Sequence, residues 1–185
     1  MKRYFLLFLL SMLPLCVYAQ HVINRNVAGL TLGNRYTVNR AQKILERKFD
    51  YFSHVDRGSS SNTIMMLGKI PFADETWNGL AIDLESTGRV SSISFAKDIN
   101  ADEDANTFFL DVAEKVISKY GKPVVNKLTN RTNDSGLEYL WEDNRNTQLK
   151  LRMLPDTDGT GWVIWLSYED PGLEQKIQND IIREL

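Results

Sequence analysis

Residues 102–123 read DEDANTFFLDVAEKVISKYGKP, and the reading of this stretch decides the fold. Apolar side chains recur at Ala105, Phe108, Phe109, Val112, Val116 and Tyr120, the three-and-four spacing that lines one face of a helix. Asp102, Glu103 and Asp104 fall at its start, where carboxylates meet the positive end of the helix dipole, and Lys115 and Lys119 lie toward the negative end. Gly121 is free to take the left-handed conformation that ends a helix, and Pro123 cannot continue one. The three leading acids also have the chemistry of cation ligands, but the dipole on a solvated face accounts for them without a metal.

On either side of this helix the chain alternates like strands. Upstream, residues 20–36 read as an extended lead-in containing Gly29-Leu30-Thr31-Leu32-Gly33, and Thr37 can cap a helix through Phe49 whose apolar face is Val38, Ala41, Leu45 and Phe49, with Ile44 beside it. Residues 50–62 are polar and read as a loop. Strands are expected at Thr63–Ile70, Trp77–Glu85 and Arg89–Ala96, the last two joined by a Ser86-Thr87-Gly88 hairpin turn. Downstream, residues 126–135 read as a polar loop. Strands follow at Leu137–Glu142, Thr147–Leu154 and Gly161–Tyr168, and Asp170-Pro171 is the start expected of a closing helix through Ile182.

The chain therefore repeats itself as helix and three strands, twice. Lys48-Phe49-Asp50 corresponds to Lys119-Tyr120-Gly121, and Ile93-Ser94-Phe95 to Leu166-Ser167-Tyr168. The expected fold class is α+β, an antiparallel sheet (or sheets) with helices packed on one face, built as a tandem αβββ repeat. Residues 20–99 form the first unit and 100–185 the second with its closing helix, as one compact domain or two lobes. In the last strand Trp162, Ile164, Leu166 and Tyr168 point one way, while Val163 and Trp165 point the other. Such a strand is either central and buried on both faces or presents an aromatic patch to a partner.

The first 19 residues stand outside this pattern. Lys2 and Arg3, an apolar run from Tyr4 to Val17 and the small Ala19 make a secretory signal peptide, with cleavage before Gln20 and export to the periplasm or beyond. The run is short for a membrane span and no second one follows. Cys16 raises a lipoprotein alternative, weakened by Leu15, which stands where lipoprotein processing favours a small residue. The sequence after residue 19 has no cysteine, hence no disulfide and no thiol nucleophile. It carries 20 basic residues against 24 acids, a formal charge of −4 that argues against nucleic acid as partner.

Motifs for chemistry are weak. His21 and His54 are the two histidines, too few for a metal site by themselves. Asp156-Thr157-Asp158-Gly159 starts like a calcium loop, but its glycine comes fourth and Ser167 stands at the twelfth position, so it reads as a hairpin turn. His54, Asp56 and Ser59–Ser61 cluster in one polar loop, which is a poor support for a catalytic triad. The acids Asp83 with Glu85, and Glu138 with Glu142, alternate opposite apolar neighbours and are expected in solvent. Phosphate-cradling and dinucleotide glycine motifs are absent from the sequence, and no cofactor is expected.

The Gly29–Gly33 run, a helix ending in an aromatic residue, three strands, Lys119-Tyr-Gly-Lys-Pro123 and Trp141-Glu-Asp143 together resemble the secreted αβ modules of Bacteroidetes-type bacteria. In shape these are similar to outer-membrane assembly lipoproteins of the BamE/SmpA type and to the β-lactamase inhibitor protein family, whose tandem helix-plus-sheet units form a concave face. The resemblance implies a non-enzymatic binding or scaffolding module of the cell envelope that contacts another envelope or secreted protein through a sheet face. Aromatic anchors carry much of the energy of such interfaces, which selects Trp77, Trp141, Trp162, Trp165 and Tyr139 as candidate binding residues. The alternatives are a carboxylate-dependent envelope hydrolase and a lipid-anchored assembly component.

Overall fold

The structure, a computed structural model, describes residues 22–58, 61–100, 103–131 and 134–173. The expected signal peptide with Cys16, together with His21, Ser59, Ser60, Asp102 and the closing helix expected beyond Leu173, lies outside the described residues. A short hairpin of β1 (Asn26–Val27) and β2 (Leu30–Thr31) precedes helix α1 (Val38–Phe49). Strands β3 (Ser53–Arg57), β4 (Ser61–Phe72), β5 (Glu75–Glu85) and β6 (Val90–Asn100) follow. Helix α2 (Ala105–Tyr120) then leads into β7 (Val125–Arg131), β8 (Asp134–Glu142), β9 (Gln148–Pro155) and β10 (Gly161–Glu169).

Strands β3 to β10 make one antiparallel sheet in the order β3-β4-β5-β6-β10-β9-β8-β7. The fold is α+β, with helices packed on a sheet. Each unit holds four strands rather than the three expected, because β3 and β7 occupy stretches that read as polar loops. Both are sheet edges with a single pairing partner. An edge strand half in solvent need not alternate, and His54, Asp56 and Arg57 of β3 are exposed. Strands that start at 53, 61, 75 and 90 recur with starts at 125, 134, 148 and 161. Each unit is a meander that ends at the centre of the sheet, where β6 and β10 pair and Ser94 sits opposite Ser167.

The helices form where their caps permit. Thr37 accepts the N–H of Arg40 (3.3 Å) at the start of α1, which ends at Asp50 in a left-handed conformation (φ 57°). Asp104 caps α2, accepting the N–H of Thr107 at 3.1 Å. Glu103 and Asp104 therefore precede the first turn of α2 instead of filling it, and the cap, more than the dipole, is what Asp104 contributes. Gly121 ends the helix with φ 80°, and its N–H donates to the Ile117 carbonyl.

One core joins both units. Ala41, Leu45 and Phe49 of α1 and Phe109, Val112, Ala113 and Val116 of α2 pack on Ile64, Met66, Ile82 and Phe95 of the first unit and Leu149, Leu151, Ile164 and Leu166 of the second. Full burial of each large side chain stabilises by about 2–3 kcal/mol. Ile23, Val27, Leu30 and Leu32 of the N-terminal segment join the same core. In β4 and β5 the pairing register shifts between Leu67 and Ile70, which places Trp77 on the core face beside Ile70 although it shares parity with Gly79 and Ala81 on the other face. Gly68 permits this bulge: its φ is 147°, and a Cβ there would stand 2.6 Å from the Tyr51 ring.

A polar knot holds the N-terminal segment down. The buried Asp143 carboxylate accepts backbone N–H groups from Ile23 (3.0 Å), Arg145 (2.9 Å) and Thr147 (3.0 Å). Arg25 donates to Thr147 Oγ1 (3.2 Å) and the Leu32 carbonyl (3.1 Å) and forms an ion pair with Asp170. Burial pushes the Asp143 carboxyl up, but the three backbone donors and the charge of Arg145 outweigh it and leave the group below the ordinary carboxylate value.

Candidate functional site

Alternation along the strands gives the sheet a second face, on the side away from α1 and α2, bordered by Pro171 and the buried Leu173, where a further helical turn begins. Cross-strand register assembles this face into rows. One row runs Gly79, Ala96, Trp165, Arg152 and Glu138 across five strands. The next runs His54, Met65, Ala81, Ser94, Ser167 and Lys150. A third runs Asp56, Thr63, Asp83, Ser92, Glu169 and Gln148. Side chains adjacent in a row lie within reach of one another.

The contacts along these rows are specific. Asp83 accepts the hydroxyls of Thr63 (2.7 Å) and Ser92 (2.5 Å), and Ser94 donates to Ser167 at 2.9 Å. Lys150 forms an ion pair with Glu169, and Arg152 Nε lies 2.7 Å from Glu138 Oε2. Ser91 is the extra residue of a bulge opposite Asp83, and its hydroxyl donates to the Asp83 carbonyl at 3.3 Å. Around these groups lies a groove of about 450 Å³, bordered by Trp165, Arg152 and Leu154 and closed at one end by Asp170, Pro171 and Leu173.

The five aromatic residues selected from the sequence divide between the two faces. Trp77 is fully buried and donates its indole N–H to the Phe72 carbonyl at 3.0 Å. Trp141 is 2% exposed and donates to the Gly121 carbonyl at 2.8 Å, tying β8 to the end of α2. Tyr139 is half-buried on the core side, edge-on to Phe109 and to Trp141. Trp162 is half-buried and packs against the core. Of the five, Trp165 alone stands on the face opposite α1 and α2, half-buried, between Ala96 and Arg152 on the flanking strands.

Sequence reasoning missed the company Trp165 keeps. Arg152, Glu138, Lys150, Glu169, Asp83 and the serine pair come from five strands, and register alone brings them together. The signal available in the sequence was the alternation of Lys150 and Arg152 against Leu149, Leu151 and Met153.

His54 shares a row with Ser94 but stands three strands away, about 14 Å, so the two do not form a nucleophile–base pair. Asp83 is occupied by two hydroxyls, and Glu169, Asp170 and Glu138 by cations. Asp156–Gly159 forms the turn between β9 and β10, with Asp156 and Asp158 accepting the N–H groups of Asp158 and Thr160. Among the described residues no group of three or more His, Asp or Glu side chains is placed to hold a metal ion. No described helix is long and apolar enough to cross a membrane. No protein-family model, curated protein or solved structure matches the chain.

Proposed function

We propose that this chain is an exported, non-enzymatic binding or scaffolding module of the bacterial cell envelope, and that it grips another envelope or secreted protein through the sheet face opposite α1 and α2. The observation that carries the reading is the position of Trp165: a half-buried indole at the centre of an eight-stranded sheet, flanked by Arg152 in a groove on the face opposite α1 and α2. Tryptophan and arginine are the side chains that most often dominate protein interfaces, because a large rigid surface and a planar cation are desolvated together. The resemblance to tandem helix-plus-sheet modules of the BamE/SmpA and β-lactamase inhibitor types supports the same use of the sheet. Trp77 and Trp141 act as architectural anchors in this reading, and Trp162 and Tyr139 support the face from behind.

Site-directed photocrosslinking in cells tests it. A photoreactive residue at Ala96, beside Trp165, is expected to give a discrete adduct with one partner. The same probe at Lys43 on the outer face of α1 gives none, and Trp165→Ala removes the Ala96 adduct while the fold is kept. Adducts from Lys43 and Ala96 alike, or an Ala96 adduct indifferent to Trp165→Ala, would overturn the proposal.

A further inference from the structure

The cations of this acidic chain are unevenly spread. Residues 35–57 hold six cations and three acids, whereas the rest of the chain after residue 19 holds 14 cations and 21 acids. Helix α1 carries four of the six. Its Ala41, Leu45 and Phe49 face the core. Gln42 and Glu46 face the start of β3: Gln42 Nε2 donates to Ser53 Oγ at 3.1 Å, and Glu46 Oε1 accepts the Ser53 N–H at 3.1 Å. That leaves Arg40, Lys43 and Arg47, spaced three and four apart, on the face turned away from the core. All three are exposed, as are Arg35 and Lys48 beside them. None of the five forms an ion pair with any described residue, and the one acid of the helix, Glu46, is turned to Ser53.

An apolar pair protrudes beside this face. Ser53 pairs with Met66, so Phe52 and Leu67, the next residues along the two chains, stand side by side at the sheet edge. Phe52 is 95% exposed and Leu67 80%, the two most exposed large apolar side chains among the described residues. Tyr51, between α1 and Phe52, lays its ring against Gly68, next to Leu67. Lys69 and Arg57 are exposed on the same two strands, and Asp50 and Asp56 are the exposed acids of the stretch, fewer than the cations around them. Apolar side chains that stand out from the surface among cations suit a fluid interface. The rings and branches enter the boundary between headgroups and acyl chains, while the cations stay at the phosphates.

We propose that α1 and the Phe52–Leu67 pair dock this module on the surface of an anionic phospholipid bilayer, with Arg40, Lys43 and Arg47 at the phosphates and the two apolar side chains in the headgroup–acyl boundary. Sedimentation of the chain from Gln20 onward with phospholipid vesicles tests the assignment. Vesicles of equal parts phosphatidylglycerol and phosphatidylcholine are expected to bind it, pure phosphatidylcholine far more weakly, and added salt should release it. Each cation near such a surface is worth about fivefold in affinity, so Lys43→Glu with Arg47→Glu is expected to weaken binding by more than about tenfold. Phe52→Ser with Leu67→Ser should weaken it comparably, and circular dichroism confirms that these exposed changes keep the fold. Lys119→Glu with Lys122→Glu, the same change of net charge at the far end of α2, is expected to have little effect. Equal binding to both vesicles, indifference to either double variant at α1 or the pair, or an equal loss from the Lys119 and Lys122 variant would each overturn the proposal. Absence of binding to either vesicle would also overturn it and leave the patch to an acidic protein. The Ala96 crosslink reads a protein partner at the centre of the sheet, so its result stands apart from this one.

Discussion

Ser94 and Ser167 face each other across the central strand pair, and the hydroxyl of one donates to the other at 2.9 Å. They are also the matching residues of the two repeats, Ile93-Ser94-Phe95 and Leu166-Ser167-Tyr168. Residue 93 pairs with 168 and residue 95 with 166, so an approximate twofold axis runs between the two serines. The repeat is thus closed on itself like an isologous dimer joined in one chain.

A double-mutant cycle at this pair measures the joint. Ser94→Ala and Ser167→Ala are each expected to cost about 1 kcal/mol in urea unfolding. The double variant should cost clearly less than the two together, a coupling of about 0.5 kcal/mol or more. Strict additivity would show that the hydroxyl contact contributes nothing.

Asp143 controls the acid limb of stability. Its folded value lies below the ordinary carboxylate value, so its contribution is complete above about pH 5 and is lost as pH falls through the folded value. Asp143→Asn is expected to lower neutral stability by about 3 kcal/mol, because the N–H of Ile23 and its neighbours lose a charged acceptor. Its stability should also depend less on pH below about 5 than that of the wild type. Urea titrations at a series of pH values check both.

Tyr168 controls the alkaline limb. Burial pushes its hydroxyl well above the ordinary value of 10.0, and the neighbouring Tyr120 adds to the effect. A group raised in the folded state contributes stability below its unfolded value and loses it as pH rises. Absorbance at about 295 nm should show this phenol ionising only with unfolding, above about pH 10, and Tyr168→Phe should remove that step.

Gly68→Ala tests the bulge that returns Trp77 to the core. The added Cβ meets the Tyr51 ring at 2.6 Å, on a backbone at φ 147°. A loss of about 2–4 kcal/mol is expected, of which Tyr51→Ala in the same chain recovers the steric part but not the backbone part. Thermal melts of the three variants separate the two.

The mature N-terminus distinguishes the routes of export. Mass spectrometry of protein from the envelope is expected to find a chain that begins at Gln20. An acylated Cys16 would instead establish the lipid-anchored alternative.

Local physics was legible from the residues. The caps at Thr37, the apolar faces of both helices, the alternation of β5, β9 and β10 and the repeat itself are short-range patterns, written wherever one face is buried and the other is not. The edge strands β3 and β7 escaped because a strand with one partner and a wet face needs no alternation. Trp162 and Trp165 are three residues apart in one strand and fall on opposite faces by parity, which the sequence states. That α1 and α2 lie on the Trp162 side depends on where the two units join. The sequence by itself determined the two helices, the alternating strands and their parity. The tertiary structure decided which face α1 and α2 cover and which charges meet across the other, because pairing order among distant strands is set by the packing of the whole core and not by any local run of residues.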